Sequence, residues 1–299
     1  MWLFQRLKIL LLLRIVPAFF LVIYCGQVFS QAPIHSTKIG AEIAQNSARY
    51  EKGMYAILTG TGTSGHRGGS SVAVIVDGTV MQFDMGTMST ENLNKAGVYH
   101  DKIDYIFFTH LHMDHTAGFP EYLMYTWMRK EEPVKVFGPK GTNDVLVGAN
   151  TLLKVHKRDM IEQSESFEDI SYNFDNVVVN EMDKGGVVFS NKSFTVTAAP
   201  TKHHAAEGQD SFAYRVDSPY GSVVISGDTV PTVNVVNLAK DTDLLIHEAM
   251  LPDLDMVNAD SLITASRNQY YLLDDDTPSK KVSSKGWKHS SFSEVGKVA

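Results

Sequence analysis

The residues with the clearest chemical potential stand at positions 109–118, which read Thr-His-Leu-His-Met-Asp-His-Thr-Ala-Gly. Four potential metal ligands lie within six positions there: His110, His112, Asp114 and His115. They directly follow a short apolar segment that is typical of a buried strand. In an extended segment alternate side chains share one side, so the first two histidines lie together. A turn after Met113 would bring the aspartate and the third histidine to a neighbouring point. Imidazole and carboxylate together suit zinc, manganese or iron, so the loop predicts two adjacent metal positions.

The composition excludes several other classes of protein. The 299 residues are 43% hydrophobic and 20% charged, which fits a folded globular chain rather than a disordered, collagen-like or multi-span membrane chain. The net charge of −7 argues against nucleic-acid binding, because phosphate contacts require lysine and arginine. The single cysteine, Cys25, excludes a four-cysteine zinc site and a disulfide framework.

The elements that must position the metal loop are mostly strands. Strands are predicted at 54–58, 71–76, 80–83, 105–108, 134–137, 187–189, 194–198, 211–216, 222–225 and 243–246, and helices at 122–128 and 143–156. The second helix is predicted to bury four residues on one face: Val145, Leu146, Leu152 and Leu153. Many strands without a βαβ rhythm indicate sheets covered by helices on their outer faces.

A glycine-rich segment at 60–65 matches the dinucleotide-binding pattern GxGxxG. That pattern requires a helix next, whose N-terminus holds the pyrophosphate, whereas a second strand follows here. We therefore interpret the segment as a glycine turn between two strands.

The metal loop resembles the HxHxDH signature of the metallo-β-lactamase-fold hydrolases. Within that superfamily the chain is most similar to the ribonuclease Z and arylsulfatase-type branches. The similarity continues from about Met54 through residues 59–62, Arg67 and residues 70–71, which resemble the shared opening, and through Phe-Asp-Met-Gly at 83–86, which resembles the D-x-G strand end. The resemblance implies an α+β protein with a four-layer αββα sandwich.

The same resemblance implies the remaining metal ligands. Residues 196–203, Val-Thr-Ala-Ala-Pro-Thr-Lys-His, resemble the strand that ends on the next metal histidine. Aligned without gaps that histidine is His203, and the adjacent His204 is the alternative. Ser-Gly-Asp-Thr at 226–229 resembles the motif whose aspartate, here Asp228, bridges both metals. The first position would then have His110, His112, His203 and Asp228, and the second would have Asp114, His115 and Asp228.

Two later segments resemble the proton-handling motifs of ribonuclease Z. Residues 244–249 resemble its HEAT segment and residues 288–291 resemble its HST segment. The resemblance implies that Glu248 orients His289, whose imidazole protonates the leaving alcohol. The expected chemistry is metal-assisted hydrolysis, because coordination lowers the pKa of water from 15.7 to about 7. Asp114 is expected to accept a hydrogen bond from that water, and Arg67 is the candidate for holding the anionic ester. The other histidines (His35, His66, His100 and His156) are expected on the surface or in loops.

Two features depart from ribonuclease Z. Residues 204–227, between the third metal histidine and the bridging aspartate, leave no room for its tRNA-clamping arm. The final metal histidine, expected beyond His289, is absent because the sequence stops at Ala299. We therefore expect a C-terminally truncated fold with an incomplete second metal position.

The N-terminal segment has the layout of a secretory signal peptide. A basic region with Arg6, Lys8 and Arg14 precedes an apolar run at 15–23, and small or polar residues follow. An uncleaved anchor is the alternative. The expected organisation is a signal peptide or N-terminal anchor at 1–30, a linker at 31–50 and the hydrolase domain at 51–299. Removing residues 1–30, which carry three basic and no acidic side chains, would make the net charge more negative.

These observations define the expected function as an exported, periplasmic or secreted, metal-dependent hydrolase of phosphodiester or sulfate esters. Its cofactor is expected to be two zinc ions, with manganese as the alternative. The other functions considered are an impaired metal-binding family member with little turnover and, less favoured, a 3′-tRNA-processing endoribonuclease. The expected partner is a small anionic ester, without tRNA and with membrane contact only through an uncleaved N-terminal segment. A homodimer is left open.

Overall fold

The structure of the chain is a computed structural model that divides into two compact units, Met1–Ala48 and Arg49–Ala299. It describes residues 49–62, 67–127, 133–163, 176–203, 210–249, 289, 290, 295 and 298, all within the second unit. The predicted signal peptide or anchor, almost all of the predicted linker, and His204 lie outside the described residues.

The first sheet contains six strands in the order β1-β2-β3-β4-β5-β6. The strands are β1 (Met54–Gly60), β2 (Ser71–Val76), β3 (Thr79–Phe83), β4 (Ile103–Phe107), β5 (Val134–Pro139) and β6 (Val177–Met182). β1, β2 and β3 pair antiparallel, so the glycine-rich segment at 60–65 lies between two antiparallel strands as predicted. From β3 to β6 the pairing is parallel.

The second sheet contains five strands in the order β11-β10-β9-β8-β7. The strands are β7 (Gly186–Ser190), β8 (Thr195–Pro200), β9 (Phe212–Ser218), β10 (Gly221–Ile225) and β11 (Leu244–Ile246). Four of these strands form an antiparallel meander, and β11 joins β10 in parallel.

Helices cover the outer faces of the two sheets. They are α1 (Ser89–Lys95), α2 (Met113–Thr116), α3 (Phe119–Thr126), α4 (Thr142–Gln163) and α5 (Val233–Ala239). β2 shows how the layers form, because its six residues are all buried and its side chains alternate between two cores. Ala73 and Ile75 pack under the helices, whereas Val72, Val74 and Val76 pack between the sheets. The predicted α+β fold with two sheets covered by helices is confirmed.

An aromatic column supports the strand ends that carry the metal loop. Phe107, the last residue of β4, stacks on Phe83 and Phe137 with ring centroids 4.9 and 5.0 Å apart. Each such pair contributes roughly 0.5–1.5 kcal/mol beyond its buried area. From the second sheet, the Tyr214 hydroxyl donates to the Phe108 carbonyl oxygen at 2.8 Å. The start of the metal loop is therefore held by both sheets.

Three elements and one packing prediction differ from the expectation. α1, β6 and α5 were not predicted, and the β3–α1–β4 and β5–α4–β6 units show that a βαβ rhythm is present after all. α1 and α5 have only seven residues each, too few for a clear helical periodicity. Leu152 of α4 was predicted to be buried but is 70% exposed, because the neighbouring residue Leu153 already occupies the inward face.

Within the described residues, no helix combines the length and the hydropathy needed to span a membrane.

Candidate metal centre

The metal loop leaves β4 in an extended conformation and then turns into α2. His112 is extended (φ −64°, ψ 153°), and the helix begins at Met113, where the sequence predicted a turn. The His115 amide donates to the His112 carbonyl oxygen at 3.0 Å, which closes this turn. The single turn of helix directs Asp114 and His115 toward the point reached by the preceding histidines.

Three imidazoles converge at the first position. The Nε2 atoms of His110 and His203 lie 3.1 and 3.0 Å from the same atom, Nδ1 of His112. His110 and His203 are buried, whereas His112 faces solvent. His203 follows β8 of the second sheet, so this cluster combines residues from both sheets.

Asp228 lies between the histidines of the first and second positions. Its Oδ1 is 3.4 Å from Nε2 of His115, and its Oδ2 is 3.9 Å from Nε2 of His203. Asp114 Oδ2 is 3.9 Å from the same His115 nitrogen. The aspartate reaches this place because the preceding residue, Gly227, has a left-handed backbone (φ +58°) and approaches Thr109 so closely that a Cβ atom would lie 2.6 Å from that side chain.

A further carboxylate, that of Asp84, orients His110 and His115 of the metal loop from behind. It accepts hydrogen bonds from the Thr109 amide at 2.7 Å, from the Thr109 hydroxyl at 2.8 Å and from Nδ1 of His115 at 2.7 Å. Because the Thr109 hydroxyl donates to Asp84, its oxygen accepts from Nδ1 of His110, 3.1 Å away. Both histidines therefore carry a proton on Nδ1, so that Nε2 is the nitrogen that faces the site.

Asp84 is the functional residue whose role sequence reasoning missed. It was noted only as part of the segment 83–86, although a usable signal was present. β3 and β4 are parallel neighbours that end in register, Phe83 opposite Phe107, so the residues that follow them meet at the same edge. Gln82 supports the arrangement, because its side-chain amide donates to the Asp84 carbonyl oxygen at 3.0 Å.

The electrostatics follow from burial and from these contacts. Burial lowers the pKa of His115, but the charges of Asp84 and Asp228 outweigh it and hold that pKa well above its ordinary value. Burial raises the pKa of Asp228, but the hydrogen bond and charge of His115, helped by His203 and His289, lower it to about 2. Asp228 is therefore a carboxylate over the whole neutral range.

Glu248 and His289 form a pair beside Asp228. Nδ1 of His289 donates to Glu248 Oε1 at 3.2 Å and lies 3.7 Å from Asp228 Oδ2. The same glutamate oxygen accepts from the amides of Thr229 at 3.2 Å and Ser290 at 2.9 Å. Burial lowers the pKa of His289, but the hydrogen bond and charge of Glu248 outweigh it, and the pKa is raised. The pair thus places a protonatable imidazole at the edge of the cluster.

The donor set fits divalent cations. Three groups have ligand atoms within 4.8 Å of one another: His110, His112 and His203; His110, His115 and Asp228; and His203, Asp228 and His289. A tetrahedral zinc with Zn–N bonds of about 2.0–2.1 Å separates its nitrogen ligands by roughly 3.3 Å. The ring nitrogens of the first group are 3.0 and 3.1 Å apart. A carboxylate–histidine contact behind the site, here Asp84 to His115, is also typical of metal centres.

Two sequence expectations concern residues away from the cluster. Arg67 is exposed on the link between β1 and β2, and in the described part of the chain its guanidinium group makes no hydrogen bond or ion pair. His100, expected on the surface or in a loop, is buried: it hydrogen-bonds Asn94, and its ring lies 5.2 Å from that of Tyr125. The surface prediction for His100 was therefore wrong.

Ribonucleases Z are among the known proteins with similar sequences. The enzyme of Mycobacterium sp. (strain KMS) is 29% identical over 203 residues, which cover 66% of this chain and 69% of that protein. The enzyme of Limosilactobacillus fermentum (strain NBRC 3956 / LMG 18251) is 30% identical over 218 residues, covering 56% of this chain and 64% of that protein.

Among solved structures, the short form of human tRNase Z is similar, with a TM-score of 0.56 and 24% identity, over 82% of this chain and 87% of that one. The metallo-β-lactamase fold protein YhfI from Bacillus subtilis gives a TM-score of 0.55 at 17% identity, over 83% and 81% of the two chains. At such identities the likeness concerns the fold, and it confirms the predicted metallo-β-lactamase fold.

The family model of the Anti-Pycsar protein Apyc1 matches residues 54–266, which contain both sheets and all of the converging side chains except His289. The chain is thus a metallo-β-lactamase-fold protein related to ribonuclease Z, and it belongs to the family of the Anti-Pycsar protein Apyc1.

Proposed function

We propose that this chain is a metal-dependent phosphodiesterase that hydrolyses small anionic diesters. The position of Asp228 carries the proposal: its oxygens lie 3.4 and 3.9 Å from imidazole nitrogens of the two positions and 3.7 Å from His289. A carboxylate with two oxygens can serve two cations at once. A proton donor beside such a carboxylate is what cleavage of an ester with an alkoxide leaving group requires.

The residues of the site would have different roles in this reaction. The first cation position would be held by His110, His112, His203 and Asp228, and the second by Asp114, His115 and Asp228. When bound, the cations lower the pKa of water and stabilise the negative charge that develops on phosphate. Asp84 holds a proton on Nδ1 of His115 directly and of His110 through Thr109, so that Nε2 of each ring would bind the cation. Asp114 accepts a hydrogen bond from the attacking water. Glu248 holds a proton on Nδ1 of His289, so that the opposite ring nitrogen can deliver a proton to the leaving oxygen.

The names of the relatives favour a phosphate ester over a sulfate ester as the substrate. A ribonuclease Z cleaves phosphodiester bonds, and its sequence likeness covers 66% of this chain. The matching family model describes an anti-Pycsar protein. We propose the same anti-Pycsar role for this chain.

A small substrate is favoured by the segment between His203 and Asp228. β9 and β10 occupy residues 212–225 of this segment and form an antiparallel hairpin of the second sheet. This leaves few residues for an arm that could clamp tRNA. We therefore propose that precursor tRNA is a poor substrate.

The test combines metal content with hydrolysis by the full chain. We expect close to two equivalents of zinc or manganese and hydrolysis of bis(p-nitrophenyl) phosphate, with little turnover of p-nitrophenyl sulfate or precursor tRNA. His110→Ala is expected to remove both metal and activity, because His110 belongs to two of the ligand groups. His156→Ala is the matched control, since His156 is exposed on α4.

Three outcomes contradict the proposal. One equivalent of metal or less without turnover would favour an impaired metal-binding protein instead. Activity retained by His110→Ala would contradict the assignment of the centre itself. Faster turnover of the aryl sulfate than of the phosphodiester would indicate that sulfate esters are the substrates instead.

Export is part of the proposal and has its own test. The basic and apolar layout of residues 1–30 supports it. Cell fractionation and N-terminal sequencing of the chain from its host would show a mature end near Gln31, or an intact end in the membrane fraction for an uncleaved anchor. An intact chain in the cytoplasmic fraction would contradict export.

A further inference from the structure

Met113 has the largest exposed fraction, 78%, among the large hydrophobic side chains that the structure describes. It stands in the metal loop between His112 and Asp114, which belong to the first and the second cation position. Single exposed hydrophobic residues are common on protein surfaces and need no function. This one lies between ligands of both positions, where a substrate that reaches the cations comes close to it.

The backbone that carries this side chain is fixed. The Met113 carbonyl oxygen accepts from the Ala117 amide at 2.7 Å, which closes the single turn of α2. The preceding carbonyl oxygen, that of His112, accepts from the His115 amide and from the Thr116 hydroxyl, both at 3.0 Å. The methionine side chain therefore projects into solvent from a hydrogen-bonded turn rather than from a loose loop.

The centre opens to solvent on the side of this turn. Of the three imidazoles of the first position, His110 and His203 are buried, whereas His112 is exposed. Asp114, which follows Met113 in the chain, keeps 24% of its side chain exposed. A diester that approaches the two cation positions from solvent therefore passes the methionine.

Met113 and the proposed proton donor belong to different sides of the cluster. His112, the neighbour of Met113, and His289 occur in two different ligand groups, which share His203. The His203 ring lies 4.8 Å from the ring of His112 and 4.9 Å from that of His289. Because His289 would protonate the leaving oxygen, the ester group on the side of Met113 is the one that stays on phosphorus.

We propose that Met113 contacts this retained ester group and favours a planar ring there over a small alkyl group. A thioether is flexible and polarisable, and it makes favourable contacts with aromatic rings. It offers no strong hydrogen bond that would fix one particular ring, so the contact selects a class of substrate rather than one compound. This inference rests on the proposed phosphodiesterase activity.

The first test compares two diesters with the same leaving group, p-nitrophenolate, in the zinc-loaded full chain. Thymidine 5′-(p-nitrophenyl phosphate) retains a nucleoside on phosphorus, whereas methyl p-nitrophenyl phosphate retains a methyl group. Met113→Gln keeps the length of the side chain and removes its apolar end. We expect the ratio of the two kcat/KM values, thymidine ester over methyl ester, to fall about three- to tenfold. Met113→Leu should keep most of the ratio, because it stays apolar.

The matched control for this test is Leu244→Gln. Leu244 is another exposed large hydrophobic residue (45%), and it lies at the start of β11, the end of the strand away from Glu248. Its ratio should equal that of the wild type. Damage to the metal loop would lower both kcat/KM values alike, so an unchanged ratio in Met113→Gln would overturn the inference.

The second test does not depend on turnover. Hydrogen peroxide transfers one oxygen atom to the Met113 sulfur and is reduced to water, and the resulting sulfoxide is measured by peptide mass spectrometry. In the zinc-loaded full chain, saturating thymidine 5′-monophosphate should slow this oxidation about threefold relative to saturating methyl phosphate. Equal oxidation rates with the two phosphates would overturn the contact. A wild-type chain that hydrolyses neither diester, while the nucleotide still protects Met113, would overturn the proposed function and support the contact.

Discussion

Replacing Asp84 by asparagine (Asp84→Asn) tests whether this carboxylate fixes the proton of His115 on Nδ1 and so prepares its Nε2 for a cation. The asparagine oxygen can still accept from the Thr109 amide, but its nitrogen takes the place of the oxygen that receives Nδ1 of His115. The nitrogen donates, so His115 must accept at Nδ1 and move its proton to Nε2, the atom that faces Asp228. A protonated Nε2 cannot bind a cation.

The magnitude follows from the contacts that are lost. Asp84 is only 2% exposed, and each hydrogen bond to its charge contributes about 1.5–3 kcal/mol. Loss of such an orienting carboxylate weakens metal binding about 10–100-fold, which is roughly 1.4–2.7 kcal/mol. We expect the zinc affinity of the position held by His115 to fall by this factor, because His115 must first return its proton to Nδ1 without a carboxylate to receive it. The assay is competition for zinc between the full chain and a chelator of known affinity.

The matched control is Asp77→Asn. Asp77 also has a positive φ (47°, against 55° for Asp84), so asparagine suits the backbone at both places. It is exposed and accepts from the Gly53 amide at 2.9 Å, away from the metal loop. We expect its zinc affinities to be unchanged. An Asp84→Asn chain that melts like the wild type and binds both zinc ions with unchanged affinity would refute the reasoning.

Three further predictions concern catalysis, packing and pH. Glu248→Gln should lower kcat about 100-fold with little change in KM and alter the pH profile, because His289 loses the charge that raises its pKa. Gly86→Ala should lower the free energy of unfolding by about 3 kcal/mol, measured by denaturant titration, because its Cβ would lie 2.3 Å from the Asp114 carbonyl oxygen. Zinc affinity should fall as the pH is lowered from about 8 to about 6, because the raised pKa of His115 lets protons compete with the cation.

Each of these predictions has a control or a contradicting result. Glu162→Gln, on the exposed side of α4, should leave kcat unchanged, and an equal loss in both variants would remove the special role of Glu248. Gly148→Ala should raise stability by about 1 kcal/mol, because the added methyl group has free space within a helix. A Gly86→Ala chain as stable as wild type would contradict the close packing under the metal loop. Zinc affinity that does not change over this pH range would contradict proton competition.

The sequence predicted that the side chains of the metal loop converge, because these residues stand close together in the chain. His110 to His115 follow one apolar strand, and local alternation plus one turn is enough to bring them together. Asp84 was missed because its role depends on the parallel pairing of β3 with β4, which no local pattern reveals. Leu152 was misplaced for a related reason: the pair Leu152-Leu153 spans two faces of a helix, and only tertiary packing decides which one is buried.

The centre draws its side chains from both halves of the sandwich. His110 to His115 follow β4 of the first sheet, whereas His203 and Asp228 follow β8 and β10 of the second. Neither half can hold a cation with the full set of ligands by itself. A bound ion would therefore link the two sheets, whose segments are synthesised at different times on the ribosome. We expect the ion to bind late in folding, after the two sheets have packed together. Its removal should weaken the contact between the two sheets before either sheet unfolds.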